Sequence, residues 1–212
     1  ALSDTNSPIY NRKPLVIIGY DTRFLGKEFA LTTVEILSEN GIDTLLTERD
    51  APTPAVSFNI IKRKTIGGIN ITASHNPHQY QGLKFSNEKG APAPPETTKI
   101  IEQKIIELQE KQCKFSNSFP SLTKYKTFDP RPVYFDQIKK LINFSNIKKA
   151  KLNVAVECSY GAGRGYLDEL LKQTGAKVTV FHNELNPLFG GRHPEPDADG
   201  MAEVSKFIRS GK

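Results

Sequence analysis

This 212-residue chain predicts an α/β fold of two consecutive α/β/α units, each a mixed, mainly parallel sheet with helices on both faces. Three observations carry that expectation. From residue 15 to about 111, short apolar runs alternate with stretches of helical period. A polar, proline-bearing stretch from about Gln112 to Pro132 interrupts the alternation. The alternation then resumes and continues to Arg209. Strands alternating with helices favour a parallel sheet covered on both faces.

The first unit opens with Leu15-Val16-Ile17-Ile18-Gly19-Tyr20, a continuous apolar run closed by Asp21-Thr22-Arg23. Such a run is a buried strand entering a polar loop. Gly26 to Asn40 follows as a helix, with Phe29, Ala30, Val34 and Leu37 on one face and Gly41 just past its end. Ile42-Asp43-Thr44-Leu45-Leu46 is the second strand, and Pro52-Thr53-Pro54 opens a helix through Ala55, Val56, Ile60 and Ile61. The third strand ends at Ile71, and a long loop runs from there through Pro94-Pro95. A last helix covers about Glu96 to Lys111, with Ile101, Ile105 and Leu108 in register.

The stretch from 112 to 132 is expected to connect two domains, 8–128 and 129–212. In the second, Tyr134 to Ile142 is helical, Leu152 to Val156 a strand, Gly165 to Gln173 a helix and Lys177 to Phe181 a strand. A Gly/Pro-rich loop from Pro187 to Pro196 leads to a helix over about Asp199 to Arg209. This is β-α-β-α again, with no further strand to complete the pattern.

Composition narrows the function classes. No apolar run approaches the roughly 20 residues that span a bilayer, so no membrane association is expected. Ala1 to Asn6 is polar and does not resemble a signal peptide. Two cysteines, Cys113 and Cys158, give no disulfide framework and fit a cytoplasmic protein. The net charge of +6 is spread over scattered lysines, densest at Lys62-Arg63-Lys64 and Lys148-Lys149. No aromatic-basic interleaving suggests nucleic-acid stacking. The only methionine is Met201, so a processed chain or a piece of a longer protein is expected.

The most informative segment is Thr72-Ala73-Ser74-His75-Asn76-Pro77, at the end of the third strand. Ligands of open α/β sheets bind outside the carboxyl ends of strands. A serine presented there beside an imidazole is a candidate nucleophile. Gly82 permits close backbone approach within the following Tyr80-Gln81-Gly82-Leu83-Lys84, and Lys84 adds a cation. Arg23, at the end of the first strand, belongs on the same rim. Arg23, His75 and Lys84 around Ser74 suggest a site for negative charge, most simply phosphate. No acidic partner to orient His75 in a hydrolytic triad is identifiable.

These residues resemble a known family. Gly19-Tyr20-Asp21-Thr22-Arg23, Pro52-Thr53-Pro54-Ala55, Thr72 to Pro77 and Tyr80 to Lys84 occur in the order found in the α-D-phosphohexomutases, the phosphoglucomutase/phosphomannomutase family. Tyr160-Gly161-Ala162-Gly163 and Phe189-Gly190-Gly191-Arg192-His193-Pro194-Glu195-Pro196 resemble its second domain. The resemblance implies phosphoryl transfer between the 1- and 6-positions of a hexose phosphate, through a phosphoserine at Ser74 and a hexose 1,6-bisphosphate. It implies Mg2+ held in part by the phosphate on Ser74, with the aspartate ligands expected beyond Lys212. Lys84 matches a residue of proton transfer, and Arg23 and His75 match residues lining the phosphoserine site. Thr72 is closer to the glucose and mannose enzymes than to the glucosamine ones.

The chain departs from the family at Gln81, where Asn is usual. It also lacks the N-terminal glycine-rich signature, the aspartate-rich metal loop and the third and fourth domains. The resemblance therefore implies a fragment of a four-domain enzyme that is inactive alone. The rival reading is a non-catalytic α/β module binding a phosphorylated ligand or a partner protein. The oligomeric state is not legible.

Two further motifs have ordinary explanations. Glu195-Pro196-Asp197-Ala198-Asp199-Gly200 looks like part of a cation loop, but capping of the last helix by Asp197 or Asp199 is expected. Gly161-Ala162-Gly163-Arg164-Gly165 hints at a dinucleotide fingerprint, but Tyr166 stands where the last glycine is required, and a tight strand-to-helix turn is expected. His182 and His193 lack partners at metal spacing, and Cys158 is expected to be a small buried residue.

Overall fold

The computed structural model describes residues 14–111 and 125–211. The first unit runs β1 (Leu15–Tyr20), α1 (Gly26–Glu39), β2 (Asp43–Thr47), α2 (Thr53–Arg63), β3 (Gly67–Ile71), β4 (Leu83–Asn87), α3 (Pro95–Glu110) and β5 (Lys126–Phe128). Its sheet has the order β4-β3-β1-β2-β5. β1 lies at the centre, parallel to β2 on one side and to β3 on the other. β4 is antiparallel to β3.

The alternation of side chains along β1 explains why it is apolar throughout. Val16, Ile18 and Tyr20 face Ala30 and Val34 of α1. Ile17 faces the other way and packs with Val56 and Ile60 of α2. Two glycines let α2 approach the sheet closely. A Cβ at Gly19 would lie 2.6 Å from Val56 Cγ2, and one at Gly68 2.5 Å from Ile60 Cδ1.

Two sequence expectations are corrected. The stretch after Ile71 is not one long loop, because Leu83–Asn87 forms the edge strand β4. Its pattern hides it: Leu83 is exposed, and the inward position at 86 is a serine. The connector likewise is not all linker. Its residues 112–124, with Cys113, lie outside those described, but Lys126–Phe128 pairs with β2 as β5. Three residues are too few to show a period in sequence.

The second unit runs α4 (Arg131–Leu141), α5 (Phe144–Ala150), β6 (Asn153–Glu157), α6 (Leu167–Gln173), β7 (Lys177–Phe181) and α7 (Ala202–Arg209). β6 and β7 are parallel and form a two-stranded sheet among the described residues. α5 is a helix the sequence reading lacks, and Asn143 caps it by accepting from Asn146 N at 3.1 Å. α4 packs on α2 of the first unit, where Asn59 Nδ2 donates to Pro130 O at 3.0 Å.

Candidate active site

Strand order places the site. The chain passes from β1 to β2 on one side and returns to β3 on the other, so β1 and β3 flank the point where the sheet's order reverses. That is where open α/β sheets bind ligands. In register, Tyr20 pairs with Ile71, and Asp21 N donates to Ile71 O at 3.0 Å. The loops beginning at Asp21 and at Thr72 are therefore side by side.

Ser74 is exposed at the tip of its loop, with φ 59° in the left-handed region. That conformation costs a non-glycine residue about 1–2 kcal/mol. Such strain persists only where the surroundings hold it, and it gathers at functional sites. Local bonds supply part of the hold: Ser74 N donates to Thr72 Oγ1 at 3.0 Å and Asn76 N to Ala73 O at 3.1 Å. Thr72 N donates to Gly82 O at 2.9 Å, and a Cβ at Gly82 would come within 2.9 Å of Thr72 O. Only glycine allows this approach.

Arg23 supplies the rest. It is 3% exposed, and its guanidinium lies inside the serine loop. Nη1 donates to Pro77 O at 2.8 Å and Tyr80 O at 3.1 Å. Nη2 donates to Ser74 O at 2.9 Å and Asn76 O at 2.6 Å. Nε faces Asp21 Oδ2 at 3.2 Å. The N–H groups of both terminal nitrogens thus go to carbonyls, and the remaining one lies against a carboxylate. Arg23 brings its charge to the loop but keeps no N–H for a phosphate oxygen. Burial pushes the Asp21 carboxyl up, against hydrogen bonds from Thr72 and Arg23 that pull it down.

The other expected residues are placed less centrally. His75 is mostly exposed, and its Nδ1 lies 3.5 Å from Glu195 Oε2 of the second unit. An acidic partner for His75 therefore does exist, contrary to the sequence reading, but both side chains are largely in water, where such pairs contribute little. Lys84 sits on β4 directly opposite Asn70. Directly paired residues share a sheet face, so Lys84 lies on the face of Asn70, which lines the cleft beside Ser74.

That cleft has a volume of about 250 Å³. Thr22, Thr53, Asn70 and Ser74 form one wall, and Ser159, Gly161 and Gly163 of the second unit form the other. The Gly161 segment is the tight turn expected, and it also faces the serine loop. It follows two left-handed residues, Ser159 and Tyr160, tied by Ser159 N to Glu157 Oε1 at 2.7 Å and Tyr160 N to His182 O at 3.0 Å. Phe189 closes one end, with the Arg23 guanidinium carbon 5.2 Å from its ring centre. Sequence reasoning named Phe189 only within a motif; its partner lies in the other unit, and no local period reveals it.

The remaining candidates are structural. Burial, then Asp168 and Glu157, push the Cys158 thiol up to about 11, which leaves it unreactive. His182 Nδ1 lies 2.8 Å from Glu157 Oε2, tying β7 to β6. Asp197 does not cap α7. Its Oδ1 accepts from Gly200 N at 2.8 Å, within the turn before that helix. The described residues contain no group of three or more metal-ligating side chains. The magnesium implied by the resemblance therefore has no set of three such side chains among them.

The two units are joined beside the cleft. Arg164 Nη2 pairs with Asp50 Oδ1 at 2.8 Å, and Arg49 Nη2 donates to Arg164 O at 3.0 Å. Within the second unit, Tyr166 packs edge-on against Tyr134 and Phe135 of α4, the helix that packs on α2, at 6.2 and 5.8 Å.

Comparison with known proteins points to one family. Residues 2–112 match the phosphoglucomutase/phosphomannomutase alpha/beta/alpha domain I, and residues 132–212 match domain II. The chain is 30% identical to a phosphoglucomutase/phosphomannomutase of Thermococcus kodakarensis, over 93% of this chain and 42% of that protein. It is 30% identical to phosphoglucomutase-1 of Oryctolagus cuniculus, over 100% of this chain and again 42% of the relative. A crystal structure assigned to a phosphomannomutase of Thermus thermophilus superimposes with a TM-score of 0.80 at 31% identity, covering 92% of this chain and 43% of the other. The chain thus spans about two fifths of the relatives it matches. With both domain matches together spanning most of its length, the chain belongs to the phosphoglucomutase/phosphomannomutase family.

Proposed function

We propose that this chain is the phosphoryl-carrying part of a phosphohexomutase, built of domains 8–128 and 129–212, in which Ser74 bears the phosphoryl group. The observation that carries the reading is the exposed, left-handed Ser74 on a loop gripped from within by Arg23. Phosphoryl transfer demands in-line positioning and electrostatic stabilisation more than a strong nucleophile. A rigid loop beside a buried guanidinium meets that demand.

The reaction balances as a group transfer. The bond from phosphorus to Ser74 Oγ breaks as a hexose hydroxyl oxygen bonds to phosphorus; the hydroxyl proton is taken by Lys84 in its neutral form, and the freed Ser74 Oγ takes up a proton, so no net proton is gained or lost. The hexose 1,6-bisphosphate turns over, and its other phosphoryl returns to Ser74 Oγ. His75 lines the site, paired with Glu195. When bound, Mg2+ would neutralise charge on the phosphoryl oxygens, its protein ligands coming from sequence beyond Lys212. The substrate is a glucose, mannose or glucosamine phosphate; the relatives' names include both phosphoglucomutase/phosphomannomutase and "phosphoglucosamine mutase". On this reading the whole enzyme works in the cytoplasm, and these 212 residues alone do not turn over.

Intact-mass analysis of the full-length protein tests the carrier. One phosphoryl group should map to Ser74, vanish on incubation with hexose 1-phosphate, and be absent, together with activity, in Ser74→Ala. Full activity in Ser74→Ala would overturn the reading. Conversion of glucose 1-phosphate to glucose 6-phosphate by residues 1–212 alone would overturn the claim of inactivity.

A further inference from the structure

We infer that Phe189 is a positioning residue for the Ser74 loop and acts through Arg23; the inference rests on Ser74 being the phosphoryl carrier. Arg23 is the buried tertiary tie of that loop. Its fork spans the carbonyls of residues 74, 76, 77 and 80, whereas the backbone bonds of Ser74, Asn76 and Tyr80 are local. A planar fork can serve four carbonyls only in one orientation. The N–H groups of the guanidinium are directed at those carbonyls and at Asp21, and its carbon sits over the Phe189 ring, 5.2 Å from the ring centre.

Phe189 is built to stay there. It is 5% exposed and adopts φ 52°, a left-handed conformation that bulky residues rarely take. Its neighbours hold it. Phe189 N donates to Asn186 O at 2.9 Å, Arg192 N donates to Phe189 O at 3.1 Å, and a Cβ at Gly190 would come within 2.7 Å of the Tyr160 ring. The same 187–196 loop sends Glu195 to His75. The second unit therefore grips the serine loop at two points, one buried and one exposed, and the buried one fixes the orientation of the fork.

The test uses the full-length protein. Phe189→Leu should lower kcat about tenfold, the size of one partly desolvated cation–π contact. KM for the hexose phosphate should move by less than about twofold, because uniform substrate binding is untouched. Amide hydrogen exchange should rise at residues 74–80 while β6 and β7 stay protected. Phe189→Tyr keeps the ring and should restore both readouts. Arg23→Lys should reproduce the loop exchange, and adding Phe189→Leu to it should add little. If Phe189→Leu does not fold, Phe189→Met, which keeps volume without a π face, carries the same readouts.

Loosening of β6 and β7 with residues 74–80 still protected, or full additivity with Arg23→Lys, overturns the inference. Exchange needs no turnover, so an unphosphorylated Ser74 would sink the carrier reading while the exchange arm still decides the positioning role.

Discussion

The two units solve the same problem to different degrees. In the first, a five-stranded sheet carries helices on both faces, and Ile17, Ile18, Val34 and Ile60 have no exposure at all. In the second, the described sheet has two strands, every residue of β7 is at least partly exposed, and the buried apolar residues are few: Val156, Tyr166, Leu170, Phe189 and Val204. Buried apolar area is the main driving force of folding, so the second unit leans on its surroundings. Three of its anchors point at the first unit or at the helix docked on it: Arg164 on Asp50, Tyr166 on Tyr134 and Phe135, and Phe189 on Arg23. The contrast teaches that the cleft wall carrying Ser74 is supported by its own core, while the facing wall is supported by contacts across the cleft.

Three sets of substitutions probe this contrast. The largest effect is expected at the first core. Ile17→Ala should cost about 2–5 kcal/mol, whereas Val180→Ala in half-buried β7 should cost only about 1 kcal/mol. Urea unfolding followed by probes in each unit measures both, and equal costs would erase the distinction.

A smaller effect is expected at the junction. Asp50→Ala strands Arg164 in a buried position and should cost about 3 kcal/mol, felt mainly in β6 and β7. The double variant Asp50→Ala/Arg164→Met should recover most of it, because removing both charges also removes the desolvation penalty. Hydrogen exchange in β6 and β7 reads the result, and no recovery in the double variant would show that geometry rather than charge joins the units.

The smallest effect is expected at Asp129, ahead of α4. Burial tends to raise its carboxyl, but hydrogen bonds and charge from Arg131 outweigh that and hold it below the ordinary 3.8. A carboxyl depressed in the folded state adds stability above the unfolded value and loses it as pH falls through the folded one. Asp129→Asn should therefore leave stability well below pH 3.8 almost unchanged and lower it slightly at neutral pH. Urea midpoints at the two pH values show this. The pair is partly exposed, so solvent keeps the change small.

Particular elements show what could be read before folding. β1, α1, β2, α2 and β3 follow the sequence expectation because each buries enough apolar positions to display its period. β4 and β5 do not follow it. They lie at the two edges of the sheet, where one is half exposed and the other three residues long, and pairing rather than pattern makes them strands. At the site, the sequence motif names Ser74, and the structure shows that its loop and Arg23 meet. The direction of the Arg23 fork, toward carbonyls rather than the cleft, depends on where Pro77 and Tyr80 come to rest. Glu195 opposite His75 and Phe189 over Arg23 are contacts between residues more than 100 positions apart.

By itself, the sequence determined the alternation of strands and helices, the two-unit division and the serine loop at a strand end, because periods, turn residues and motifs are local. Only the tertiary structure decided the edge strands, the carbonyl-gripping role of Arg23 and the reach of Phe189 across the cleft. Those depend on strand order and on how two units dock, and both are set by contacts distant in sequence.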